Sequence, residues 1–249
     1  MATLVIDIGN SLLSWRHRDS SGEIRFGSAT HLAIADVLVD LPVADAIAIS
    51  SVQRAHEATI KKWLADGHRD DAHWIHSGAD LPSSVLTDHP ETTGADRALC
   101  ALAWGASSDG RDALLIDAGS AVTVDAVTAA GQLQGGWIAP GFHSLLLGLQ
   151  QVAPSLPEIS PRDPGEEMDQ GPWACESRAS IEGGLRTMFI GGVQALRDRV
   201  LAGFSDDPAI IVTGGDAPLL IDFLQGAIHR PAMVLDGLEV FLDGIQEDV

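Results

Sequence analysis

The sequence predicts an α/β protein built from two related halves, and three observations carry that reading. Strand-like apolar runs alternate with helix-like segments after a hairpin in each half. The run Leu4-Val5-Ile6-Asp7-Ile8-Gly9-Asn10-Ser11 recurs as Leu114-Leu115-Ile116-Asp117-Ala118-Gly119-Ser120-Ala121, at an offset of 110 residues throughout. A third apolar run, Ile211-Val212-Thr213, also ends in glycine, at Gly214-Gly215-Asp216.

The elements follow in order. Thr3 to Ile8 reads as a buried strand, Leu12 to Arg18 continues extended, and Asp19 to Gly22 is turn chemistry before a strand at Glu23 to Phe26. Thr30 is placed to cap a helix through about Val39. Ala46 to Ser50 is a further buried strand, Glu57 to Ala65 has helical period, residues 73 to 76 form a short strand, 80 to 93 a loop, and Gly94 to Trp104 a helix. The small, turn-rich stretch Gly105 to Asp112 marks a boundary, which gives expected domains of 1–108 and 109–249. Strands are expected at about 113–117, 122–127 and 133–138, the last two joined by a turn at Thr128 to Gly131. A helix over Phe142 to Val152 precedes a loop, 154 to 172, that holds five of the 12 prolines. A long helix over 177–201, a strand over 209–213, and helices over 216–225 and 237–246 complete the chain.

Composition narrows the function. Among 249 residues, 15 Lys and Arg face 35 Asp and Glu, a formal charge of −20, while 45% of residues are apolar. The apolar share excludes a disordered chain. The charge argues against nucleic acid and against an anionic membrane surface, because no basic stripe is present to neutralise phosphates. No run approaches the ~18 apolar residues of a membrane span, and no leader is read at the N-terminus, so the expected location is cytoplasmic. Cys100 and Cys175 stand outside any ligand cluster and read as buried thiols. Ala126 to Pro157 carries no Asp, Glu, Lys or Arg over 32 residues, and is expected to be buried in a core or a subunit interface.

The strand ends carry the chemistry. Asp-x-Gly leaves a carboxylate at the carboxyl edge of a sheet, where α/β proteins bind ligands, and glycine lets backbone donors approach an anion. Two such turns could take the phosphates of a nucleotide, with Asp7 and Asp117 holding Mg²⁺, and the Gly214-Gly215 turn could lie against the same nucleotide. Asp96 and Arg97 open a helix. They read either as an ordinary first-turn acid with a surface ion pair or as a general base beside a cation that meets an anionic substrate.

The series Asp7-x-Gly9-Asn10-Ser11, Gly94-x-Asp96-Arg97, Asp117-x-Gly119-Ser120-Ala121-x-Thr123 with Asp125, Gly135-Gly136-x-Ile138-x-Pro140-Gly141 and Thr213-Gly214-Gly215 resembles type III pantothenate kinase, end to end and in register. Residues 9–16 are similar to the branch that includes Bordetella accessory-factor-type proteins. The resemblance implies two ribonuclease H-like domains of the actin-like, acetate-and-sugar-kinase type, with a nucleotide cleft between them. It implies ATP-dependent phosphorylation of pantothenate, the first step toward coenzyme A, by a homodimer using Mg²⁺ and a monovalent cation, K⁺ or NH₄⁺. Asp96 is then the base. Gly94, Ala95, Arg97, Thr87 and Ser177 contact the substrate. Asp7, Gly9, Asn10, Ser11, Gly119, Ser120, Thr123, Gly214 and Gly215 contact ATP, and Asp7 and Asp117 hold cations. The sequence departs from the family at Ser14, where Lys is frequent, at Thr87, and at Glu176-Ser177. These departures leave two alternatives open: a non-catalytic or regulatory ligand-binding dimer on the same scaffold, or a kinase of another small alcohol.

Overall fold

Two five-stranded sheets with one common strand order organise the chain. The structure is a computed structural model and describes residues 1–67, 72–159 and 171–247. In the first sheet, β1 (Thr3–Ile8) lies at the centre, antiparallel to β2 (Leu12–Arg18) on one side and parallel to β4 (Ala46–Ser51) on the other. The edges are β3 (Ile24–Thr30) and β5 (His73–Ile75), giving β3-β2-β1-β4-β5. The second sheet is built from β6 (Ala113–Ala118), β7 (Ala121–Val127), β8 (Leu133–Pro140), β9 (Ala209–Thr213) and β10 (Ile228–His229), in the order β10-β9-β6-β7-β8. Strand β6 therefore takes the place of β1, with β9 parallel to it as β4 is to β1. The repeat at an offset of 110 residues thus maps the central strand of one sheet onto that of the other.

The chain divides into two compact units, Met1–Gly110 with Val127–Gln134 and Ala232–Val249, and Arg111–Ala126 with Gly135–Pro231. In the first unit the sheet lies between two helical layers. Leu4, Ile6, Ile8, Ile47 and Ile49 face α1 (Ile34–Asp40) and α2 (Glu57–Ala65), and pack on Leu38, Ile60 and Leu64. Val5, Ala48 and Ile75 face α3 (Ala95–Ser107) and α6 (Met233–Glu247), and pack on Ala98, Leu99, Leu238 and Leu242. This alternation is that of parallel strands buried on both faces. It also sends Asp7 and Ser50, which share the parity of Val5 and Ala48, to the α3 side. The last helix is tied to β2 as well: Arg16 donates to Asp236 at 2.7 Å and to Glu239 at 2.8 Å. The tip of the β7–β8 hairpin joins this unit through Leu86 N–H on Leu133 O (2.9 Å) and Ser108 Oγ on Ala129 O (2.7 Å).

In the second unit Leu114, Ile116, Ala118, Val122, Val124 and Val212 pack on Phe189, Ile190 and Val193 of α5 (Ser177–Leu201), with Phe142 and Leu145 of α4 (Phe142–Val152) alongside. Asp117, Thr123 and Asp125 fall on the opposite face of their strands by the same alternation.

Several expectations are corrected. The helix expected over 216–225 is two short 3₁₀ turns, Ala217–Leu219 and Ile221–Phe223. Leu219, Leu220 and Leu224 are all buried there, an arrangement suited to tight i→i+3 turns bonded from Leu219 N–H to Asp216 O and from Leu220 N–H to Ala217 O. The last helix begins four residues before the expected start, at Met233 rather than 237. Cys100 is buried as expected, but Cys175 is exposed. The uncharged stretch is not a core: Ile138 is 63% and Val152 79% exposed, and α4 buries only Leu146. Most of the proline-rich loop, 160–170, lies outside the described residues. Among the described residues no helix is long and apolar enough to cross a membrane.

Candidate active site

Six segments carry the sequence-predicted residues, three in each unit: 7–11, 87 and 94–97 in the first, and 117–123, 177 and 214–215 in the second. In the first unit, Asp7 is the penultimate residue of β1, and Ser50 stands opposite it in register on β4. Ser50 Oγ donates to Asp7 Oδ1 at 2.6 Å. Burial pushes the Asp7 carboxyl up to about 7, the Ser50 hydrogen bond pulls it down, and the charge of Asp96 adds to the rise. The two carboxylates are therefore electrostatic neighbours, which their separation of 89 residues in sequence did not reveal.

Asp96 is the second residue of α3. Burial holds its carboxyl above the ordinary range, opposed by the backbone N–H and guanidinium of Arg97. The Arg97 N–H donates to Asp96 Oδ1 at 2.8 Å, so the side chain folds back over the start of the helix. Gly94 makes that conformation possible, since a Cβ there would collide with Asp96 Oδ1. Ala95 is fully buried against the sheet and serves packing. Just before this corner, the hydroxyls of Thr87 and Thr93 meet at 2.6 Å, and Gly78 N–H bonds Thr93 O at 2.8 Å, so the Thr87 loop is fastened to the segment that leads into Asp96.

The first turn closes by Gly9 N–H on Leu12 O (3.0 Å), and the second by Gly119 N–H on Ala121 O (2.9 Å). These glycine donors thus shape the turns themselves. An anion would be met by the residues that follow, the exposed Asn10 and Ser11 in one turn and Ser120 in the other. His31 adds a contact the sequence did not announce: its Nε2 lies 3.0 Å from Gly9 O, and since a carbonyl only accepts, Nε2 carries the hydrogen. The His56 ring lies 4.1 Å from that of His31.

In the second unit Asp117 is the penultimate residue of β6 and is paired in register with Thr213 of β9, the counterpart of Ser50. Gly214 follows with φ +89°, a conformation that side chains rarely adopt. A Cβ there would also collide with Ala118 O and lie 2.5 Å from Asp117 Oδ1. Gly215 has open space around it. Thr123 is buried within β7, on the face shared with Asp117. Asp216, which belongs to no motif in the sequence, donates its N–H to Ala118 O at 2.8 Å. Burial raises its carboxyl, opposed by the nearby Phe142 backbone N–H and by His143. Ser177, the first residue of α5, is exposed. Glu176 before it is the N-cap and accepts from the N–H groups of Arg178 and Ala179, both at 3.0 Å. These hydrogen bonds hold its carboxyl low, and its charge caps the helix start.

Among the described residues no three His, Cys, Asp or Glu side chains gather as a metal cage. Both strand-end carboxylates lie instead in ones and twos at the sheet edges.

Strand-end turns at matching places on two sheets of one strand order give an α/β protein with an actin-like fold. The solved structures it is similar to agree. A Baf-family protein from Campylobacter jejuni matches over 98% of this chain and 99% of its own, with a TM-score of 0.61 and 18% identity. The activator of 2-hydroxyisocaproyl-CoA dehydratase from Clostridium difficile, solved with ADPNP, matches over 100% and 98%, with a TM-score of 0.57 and 12% identity. The chain belongs to the type III pantothenate kinase family, whose model matches residues 3–199. Type III pantothenate kinases from Alcanivorax borkumensis and Pelobacter propionicus are 29% and 28% identical to it, covering 95% and 96% of this chain and 96% and 98% of their own.

Proposed function

We propose that this chain transfers the γ-phosphoryl group of ATP to the primary hydroxyl of pantothenate, giving 4′-phosphopantothenate and ADP, the first step of coenzyme A synthesis in the cytoplasm. The observation that carries the reading is the Asp7–Asp96 pair: two partly buried carboxyls, both raised, one at a phosphate-type turn and one at a helix start beside Arg97. The hydroxyl oxygen of pantothenate attacks the γ-phosphorus, the bond to the β-bridging oxygen breaks, and Asp96 accepts the hydroxyl proton. A carboxylate with a raised pKa is a stronger base than an ordinary one, which suits that role. Arg97, Gly94, Thr87 and Ser177 are assigned to pantothenate. Asn10, Ser11, Ser120 and Thr123, with Gly9, Gly119, Gly214 and Gly215 shaping the turns, are assigned to ATP.

The residues present fit a divalent cation. Asp7 is a partly buried carboxylate with a second carboxylate nearby, and its charged form is disfavoured where it stands. The absence of a three-residue cage among the described residues suits Mg²⁺, which takes few carboxylates and keeps water and phosphate oxygens. Asp7 and Asp117 are the carboxylates assigned to cations, and Mg²⁺ when bound neutralises charge on the transferred group. Asp117 is also assigned to the monovalent cation, K⁺ or NH₄⁺.

The chain is further assigned as a homodimer. Exposed apolar side chains occur on β8, α4 and α5 (Trp137 41%, Ile138 63%, Leu147 51%, Met188 65%), the first three of them within the stretch that lacks charge. Light scattering is expected to give twice 26.2 kDa.

The test of function is incubation of the purified protein with ATP, Mg²⁺, pantothenate and either K⁺ or NH₄⁺. Phosphopantothenate is expected with at least one cation. No product with either one overturns the assignment.

A further inference from the structure

The backbone of the first turn is held by a side chain from outside it. Strand β3 ends at Thr30, and the next residue, His31, begins a 3₁₀ turn that leads into α1. From there its Nε2–H donates to Gly9 O at 3.0 Å, across 22 residues of sequence. The ring is backed by that of His56, which stands just before α2, with centroids 4.1 Å apart and planes tilted by 40°. Both imidazoles are half-buried. Gly9 O and Asn10 N–H belong to one planar trans peptide, so they point in opposite directions. Holding the oxygen therefore aims the N–H. Gly9 has no side chain to restrict that peptide, and its own N–H is committed to Leu12 O. The hydrogen bond from His31 thus removes a rotation that glycine leaves open.

We propose that His31 is a positioning residue for the first phosphate turn, fixing the Gly9–Asn10 peptide so that Asn10 and Ser11 are presented to the transferred end of ATP. The inference deepens the proposed function and rests on its assignment of this turn to ATP. His31 itself touches no reacting atom, and its effect passes through Gly9. Loss of its donor falls on alignment, because ATP keeps the contacts assigned to the second turn. The loss should therefore appear in kcat rather than in KM.

The experiment compares His31→Phe and His31→Gln with the unaltered protein. Phenylalanine keeps a ring against His56 and donates nothing. Glutamine loses the ring, but its amide N–H can reach where Nε2–H stood. Kinetics with ATP, Mg²⁺ and pantothenate are read beside the melting temperature and the stoichiometry of AMPPNP binding in calorimetry, which counts competent sites. His31→Phe is expected to lower kcat per competent site about tenfold, the effect of losing one aligning hydrogen bond. Both KM values should stay within about threefold, and the melting temperature should stay near that of the unaltered protein. His31→Gln should keep kcat within about threefold even though it melts lower. A purely structural role gives the reverse order. A His31→Phe enzyme with unchanged kcat overturns the proposal, and so does a His31→Gln enzyme as slow as the phenylalanine variant. If His31→Phe does not fold, His31→Leu takes its place with the same expectation. If the unaltered protein makes no phosphopantothenate, the proposed function fails separately, and hydrogen exchange over residues 9–12 with AMPPNP and Mg²⁺ decides. Protection in the unaltered and glutamine proteins but not in the phenylalanine variant upholds the positioning role. Equal protection in all three, or none in the unaltered protein, overturns it.

Discussion

The first and second turns begin from the same eight-residue pattern and occupy the same place in their sheets, yet their surroundings differ in kind. Asp7 faces Ser50 across a parallel pair, as Asp117 faces Thr213. Beyond that point, the first turn has the raised carboxyl of Asp96 as an electrostatic neighbour of Asp7 itself, and the His31 ring bonded to its backbone at Gly9 O. The second has structure around it: a left-handed glycine packed on its strand end, and the start of α4 bonded to its carbonyls. A duplicated strand–turn element thus stands beside a second carboxylate in one unit and beside packed backbone in the other. Changes in the first should alter kcat and pH dependence. Changes in the second should alter ATP binding and stability.

The largest effect should come from the first turn's partner. Asp96→Asn removes the proton acceptor but keeps the shape and the hydrogen bond from the Arg97 N–H. Phosphopantothenate formation is expected to fall by about 10²–10⁴-fold in kcat, the usual contribution of a positioned base. The melting temperature should hold or rise, because a partly buried charge is gone. A kcat within a few-fold of the unaltered enzyme would return Asp96 to the role of a helix-start acid.

Next is Gly214→Ala, in the second turn. The substitution combines a positive φ with a Cβ that meets backbone oxygen and Asp117, so it should destabilise by roughly 2–4 kcal/mol in urea unfolding. The KM for ATP should rise in whatever fraction remains folded. A stability loss under about 1 kcal/mol would mean that the third turn can move away from the second, and that the packing between them is not rigid.

Asp7 gives a pH-dependent contrast. Its folded value of about 7 lies above the ordinary carboxylate value of 3.8, so the folded chain keeps a proton that the unfolded chain has already released. Stability from this group is full below about pH 4 and is lost as pH rises through 7. Asp7→Asn, which can still accept from Ser50, lacks that loss. Unfolding without Mg²⁺ or nucleotide should therefore show the variant equal to the unaltered protein near pH 4 and more stable at pH 8. Part of Asp7 remains accessible to water, so the gain should be roughly 1–3 kcal/mol rather than the full ~1.4 kcal/mol for each tenfold change in proton affinity. A difference that does not grow with pH would show that Asp7 is not held in a desolvated site.

Much of this arrangement was legible in the amino-acid sequence. The repeat of Leu4–Ser11 at Leu114–Ala121 predicted two halves with related strand–turn elements, and both copies are the central strands of their sheets. The 177–201 helix and the 209–213 strand lie at their expected bounds. What escaped depends on chain segments meeting from afar. The return of α6 to the first unit is set by Leu238 and Leu242 packing on α3, and an apolar stripe does not name its partner. The 216–225 segment has the composition of a helix, and only the burial of Leu219, Leu220 and Leu224 together forces tighter turns. Glu176 looks like a charge in the wrong place until its two N–H partners show it to be a cap. Ser50, His31 and Asp216 carry no motif, and each is defined by what it touches.

The smallest expected change separates the two glycines that the sequence treats as one motif. Gly214 is required by conformation and by contact, whereas Gly215 is exposed, has φ in the ordinary range and nothing within 4 Å of an added Cβ. Gly215→Ala should therefore leave stability within about 0.5 kcal/mol of the unaltered protein, as for most open surface positions. If the nucleotide lies over this turn as assigned, the added methyl group occupies space the ligand needs, and the KM for ATP should rise about three- to tenfold while the KM for pantothenate stays put. Calorimetry with AMPPNP and thermal unfolding on the same sample read the two quantities independently. An unchanged affinity would remove Gly215 from the ATP contacts and leave Gly214 as the one glycine of the pair that the second turn needs.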